Sequence, residues 1–168
     1  MLIPLIAAVD FMNFTYAKHP CPENVPVPAV MRKGSFSFED RTMGTGFDLH
    51  VSSVKEGALR PGTRQAVVVI ACDFPVGGTS AAYVYDAHGT AATLLGQVAS
   101  ADWGSDWGAG PSTIGVRFAN RLLYVDQCKS NDCGVRTVTT YALRAGKLVK
   151  TAVRSYMSER RGRSPALA

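Results

Sequence analysis

Long apolar runs are missing from this sequence of 168 residues. A helix needs ~20 apolar residues to cross a bilayer, and the run LIPLIAA after Met1 falls far short. No transmembrane segment is expected. Charge is also scarce: charged residues make up 18% and apolar residues 46%, a balance that excludes general disorder. No interior window holds a 3.6-residue apolar period, so long amphipathic helices are excluded as well. There is no G-x-S-x-G nucleophile elbow and no phosphate-cradling glycine loop after a strand. The histidines are only three, His19, His50 and His88, and none has a His or carboxylate partner at metal-ligand spacing. No metal and no cofactor is expected.

What remains is rich in turns and short alternating segments. The length suits one domain with a core of its own. In FDLHVSSV, Phe47, Leu49 and Val51 share one face while Asp48, His50 and Ser52 take the other, the period of a half-buried strand. Phe36 and Phe38 share a face in SFSFED. QAVVVIACDF differs in being apolar without a break from Ala66 to Cys72, as suits a central strand covered on both sides. SAAYVYD, ATLLGQV, STIGVRF, RLLYVDQ, VRTVTTYAL and KLVKTAVRSY follow, most of them separated by turn residues. The expected fold is mainly β: a single domain over 9–157, an antiparallel meander forming a sandwich or barrel-like sheet. Helix is limited to a short piece near Asp10–Tyr16 or in loops. Phe47, Leu49, Val67, Val69, Ile114, Val116, Leu123 and Val125 are expected in one core.

The four cysteines fit two disulfides. Cys128 and Cys133 bracket a polar turn between two strand-like runs, where directly opposed residues come within bonding reach. By elimination Cys21 pairs with Cys72, tying down the proline-rich coil KHPCPENVPVP. A structural zinc site would want paired C-x2-4-C knuckles, which Cys21 and Cys72 lack. Disulfides imply an oxidising compartment.

The formal charge is +5, and from Arg154 onward four arginines stand against Glu159. The segment 158–168 reads as a basic, disordered tail. No folded basic cluster with interleaved aromatics is visible, so no nucleic-acid partner is expected. At the other end, residues 1–8 read as the remnant of an export signal whose basic segment lies upstream.

The stretch ADWGSDWGAG holds both tryptophans and is the candidate ligand-binding loop. Asp102 and Asp106 offer carboxylates, while Trp103 and Trp107 offer flat apolar faces. Two aspartates are thin for calcium, and the competing reading has the tryptophans packed inward over one end of the sheet. No catalytic residue is assigned. The alternative to a binding module is a hydrolase whose site assembles from Asp48, His50, Asp73 and His88.

The segment LRPGTRQAVVVIACDFPVGGTSAAYVYDAHGT resembles the LppP/LprE-type bacterial envelope lipoproteins. A glycine-bearing turn leads to Ala-Val-Val-Val and a cysteine, and a glycine-rich loop then precedes Tyr-Val-Tyr-Asp-x-x-Gly. The resemblance covers about Val9 to Leu148. It implies a secreted or periplasmic β-rich domain, partnered by an envelope component or a small ligand. One departure stands out. Cys21 follows Lys-His-Pro rather than an apolar signal segment, so a soluble form is expected rather than a lipidated one.

Overall fold

The computed structural model describes residues 8–157, except 43, 76, 103–113 and 129–132. Asp10 caps a 3-10 turn at Phe11–Asn13 by accepting from the Met12 amide. Eleven strands follow among the described residues: β1 (Thr15–Tyr16), β2 (Ala29–Val30), β3 (Ser35–Asp40), β4 (Thr45–Gly57), β5 (Arg64–Phe74), β6 (Gly77–His88), β7 (Ala91–Asp102), β8 (Ile114–Ala119), β9 (Leu122–Cys128), β10 (Val135–Arg144) and β11 (Lys147–Met157). All pairings are antiparallel. The strands form a sheet in the order β3-β4-β5-β6-β7, a second in the order β11-β10-β9-β8, and the small pair β1-β2. Both large sheets keep open edges, so the result is a sandwich-like stack and not a closed barrel.

The uninterrupted run Ala66–Cys72 is the middle strand of the larger sheet, and it is buried on both faces. Its alternate side chains serve different cores. Ala66, Val68, Ile70 and Cys72 join Phe47, Leu49, Ala81, Tyr83 and Tyr85 beneath the N-terminal segment. Val67 and Val69 join Ala82, Val84, Leu123, Val125 and Leu143 against the second sheet, with Val116 packed beside them. The sequence pattern groups Phe47 and Leu49 with Val67 and Val69; the structure separates them by the thickness of a sheet. An all-apolar strand has no polar residue to mark its phase, so its two faces look alike in sequence. Ile114 lies in β8, but its side chain is outside the described residues.

A bulge between Val51 and Ser53 shifts the phase of β4, which returns Val54 to the side of Phe47 and Leu49. Two tight hairpins set the register of the second sheet. Asn120 and Arg121 (φ +51° and +60°) join β8 to β9, and Ala145 and Gly146 (φ +47° and +76°) join β10 to β11. Positive φ at both central residues is the geometry that matches strand twist.

The N-terminal segment forms the third layer. Val9, Phe11, Tyr16, Val25, Ala29 and Met31 are buried over the larger sheet. Phe11, Phe14, Tyr16 and Tyr85 pack as an aromatic cluster with centroids 5.0–6.0 Å apart. The Tyr16 hydroxyl donates to the Phe11 carbonyl at 2.6 Å. Cys21 is bonded to Cys72, with Cα atoms 5.4 Å apart. Cys128 is bonded to Cys133, with Cα atoms 4.8 Å apart. The second bond is not between directly opposed residues, however. Cys128 faces Arg136 in the ladder, and Cys133, at φ +53°, belongs to the connection before β10.

Candidate functional site

A cleft of about 300 Å³ opens where the proline-rich coil meets β6 and β7. That is the lower end of the range usual for small-molecule sites. His19 and Pro20 form its coil side, and Thr79, Ala81, Tyr83, Gln97 and Ser100 are on its sheet side. Three ties hold the coil in place. The Cys21–Cys72 bond is one, and Thr79 Oγ1 donates to the Pro20 carbonyl at 2.8 Å. The third is His19, whose Nε2 lies 3.0 Å from the Pro26 carbonyl.

That last contact fixes the chemistry of the ring. A carbonyl oxygen only accepts, so Nε2 carries the proton in this contact and Nδ1 is the ring nitrogen left for another partner. His19 Nδ1 is buried and has no hydrogen-bond partner. Across the cleft, burial pushes the Tyr83 phenol up to about 12, so it stays protonated and able to donate at neutral pH. Among the described residues, no Asp, Glu, Lys or Arg lines the cleft. The lining offers amide, hydroxyl and imidazole groups beside small apolar surfaces, a set suited to an uncharged ligand with several hydroxyls.

The strand that precedes the candidate loop ends next to this cleft. Asp102 ends β7 in register with Thr79, one residue beyond Ala101 and two beyond Ser100. Trp103, Asp106 and Trp107 lie outside the described residues, as does the side chain of Asp102.

Three of the four residues of the hydrolase alternative gather at one end of the larger sheet, and His88 does not join them. Register places Asp48 opposite Asp73 and His50 opposite Ala71, so these side chains share a face near one end of the sheet. His50 Nδ1 is 3.4 Å from Asp73 Oδ2, and both groups are close to half exposed. Asp48 accepts from Ser37 Oγ at 2.6 Å. His88 sits at the opposite end of the sheet, 3.2 Å from Asp86. The other Asp86 oxygen accepts from Gln65 Nε2 at 2.8 Å, and Gln65 is itself fully buried and accepts from the Leu59 amide.

Two of the three histidines therefore do have carboxylate partners. Sequence distance hides the first, because His50 and Asp73 are cross-strand neighbours far apart in the chain. Asp86, by contrast, is two residues from His88 on the same face of β6, a signal that the strand period could have given. Among the described residues no three His, Cys, Asp or Glu side chains gather as metal ligands. Asn13, which opens the glycosylation-type triplet Asn13-Phe-Thr15, is engaged locally: its amide donates to Asp10 and its oxygen accepts from the Lys33 amide. No helix among the described residues is long and apolar enough to cross a membrane.

Comparison with protein-family models, with curated proteins and with solved structures found no match for this chain.

Proposed function

We propose that this protein is a non-catalytic binding domain of an oxidising, extracytoplasmic compartment, and that it holds a small uncharged, hydroxyl-rich ligand such as a glycan unit of the cell envelope. The cleft between the His19–Pro20 coil and the β6–β7 edge carries this reading. Its buried His19 Nδ1 has no partner, Tyr83 remains a donor, and among the described residues no ionisable acid or base other than His19 and Tyr83 lines it. Trp103 and Trp107 follow in the chain directly after the strand that forms its wall, where aromatic faces can stack on a sugar ring. The two disulfides and the resemblance to exported envelope proteins support the compartment. A hydrolytic role is less well supported, because the His19 ring is committed to a backbone carbonyl and the Asp–His pairs sit apart on exposed strand ends.

Saturation-transfer NMR against a panel of neutral mono- and disaccharides tests the proposal. Transfer to at least one sugar is expected, and it should be lost in Gln97→Ala and His19→Ala variants that remain folded. No transfer to any sugar, or transfer that both variants retain, would overturn the assignment.

A further inference from the structure

The charge of this protein is divided between its two sheets. Residues 1–113 carry seven lysines and arginines against ten acids, whereas residues 114–157 carry eight against two. The segment that builds the second sheet therefore holds +6, more than the whole chain's +5. Strand pairing sorts these charges by face. Val116, Phe118, Leu123, Val125, Tyr141 and Leu143 turn inward to the core. The residues between them face outward, and register aligns them across all four strands.

Among the described residues that outer face presents Arg117, Arg136, Arg144, Lys147 and Arg154, all exposed, against the single acid Asp126. Asp126 pairs with Arg136, and the Arg117 guanidinium lies 4.0 Å above the Tyr124 ring. A shallow hollow of about 230 Å³ lies beside Arg117, Tyr124 and Asp126. On the edge strand β11, Tyr156 is 49% exposed and Met157 80% exposed.

We propose that the outer face of the second sheet docks the protein onto an anionic lipid surface through its phosphate headgroups. The arrangement of the charges selects a plane over a linear polymer. They are spread over strands at ~4.8 Å spacing and along β10 over about 27 Å, rather than lined up in one groove. The opposite charge balance of residues 1–113 orients the molecule with this face toward a negative surface. Tyr156, opposite Arg136 on the outer face, adds an aromatic contact that suits the headgroup boundary. In sequence, Arg160, Arg161 and Arg163 follow close behind Met157.

Cosedimentation of the full chain with vesicles tests this. The protein should bind vesicles of phosphatidylglycerol and phosphatidylcholine in equal parts, not phosphatidylcholine alone, and should come off as salt rises. The triple variant Arg144→Glu, Lys147→Glu, Arg154→Glu keeps the tail and should weaken binding by about tenfold or more. The triple variant Lys18→Glu, Arg41→Glu, Arg60→Glu has the same net charge, with the changes outside the second sheet, and should bind nearly as the parent does. Circular dichroism of each variant verifies the fold. Failure to bind the anionic vesicles, or equal loss in the two triple variants, would overturn the proposal. Tighter binding to a single-stranded oligonucleotide than to the vesicles would overturn it too, and would assign the face to nucleic acid.

Discussion

The ring of Phe118 lies where a side chain on Gly57 would have to stand. Gly57 ends β4 in the larger sheet, opposite Gln65, and Phe118 comes from β8 in the second. The two sheets touch here because one strand offers no Cβ. Gly57→Ala should cost about 1–3 kcal/mol through overpacking, visible as a lowered denaturation midpoint. Pairing it with Phe118→Leu should give a smaller loss than the sum of the two single changes. Additive losses would mean that the two residues do not compete for the same space.

The central strand should be equally sensitive on both faces. Val68 and Val69 point to different cores, yet both are buried. Val68→Ala and Val69→Ala should each cost about 2 kcal/mol. Val69→Asp should prevent folding, since its buried carboxylate would have no partner. Chemical denaturation of the alanine variants, and the solubility of the aspartate variant, provide the check. A tolerant Val68 would mean that the N-terminal layer does not cover the sheet.

Cys21–Cys72 joins the N-terminal layer to the central strand across 51 residues, while Cys128–Cys133 spans only five. Closing the longer loop should contribute about 4 kcal/mol in the chain-entropy model, and the shorter one about half as much. The double variant Cys21→Ser, Cys72→Ala should therefore lower stability more than Cys128→Ser, Cys133→Ser. It should also expose amides of the Val9–Met31 layer to hydrogen exchange. Equal effects from the two double variants would contradict the role given to the coil.

Alkaline pH should destabilise the fold through buried phenols. Burial pushes Tyr83 up to about 12 and raises Tyr16 and Tyr85 as well. The folded state thus keeps protons that the unfolded chain loses near pH 10. Stability is intact below pH 10 and falls as pH climbs from there toward 12. Tyrosinate absorbance from these residues should rise together with loss of the β-sheet circular dichroism signal. Free titration of all six tyrosines near pH 10, with the fold intact, would show that they are not buried.

The architecture was legible where local chemistry dictates local geometry. The apolar run Ala66–Cys72, the turns at Asn120 and Ala145–Gly146, and the short 3-10 turn near Asp10 all carry their own signals. The pairing of Cys21 with Cys72 followed by elimination. What could not be read depends on register. The division of Phe47 from Val69 requires knowing which side of β5 each strand's side chains meet. His88 and Asp86 are same-face neighbours two residues apart in β6, a spacing that the strand period makes legible. The His50–Asp73 contact instead arises across a ladder, between residues 23 apart in sequence. The basic face is hidden for the same reason. Arg117, Arg136 and Arg154 are nearly twenty residues apart in sequence, and four aligned strands bring them to one surface. His19 and Tyr83 likewise line one cleft because the Cys21–Cys72 bond and the Thr79–Pro20 hydrogen bond hold the coil on the sheet.

In the proposed function, the His19–Tyr83 cleft and the candidate loop holding Trp103 and Trp107 form one ligand site. Acrylamide quenching of tryptophan fluorescence during a sugar titration tests this most directly, because both tryptophans lie in that loop. A sugar giving saturation transfer should also protect the tryptophans from quenching, and Gln97→Ala should abolish the protection. Quenching unchanged at a saturating concentration of that sugar, with transfer still present, would contradict it by placing the site elsewhere.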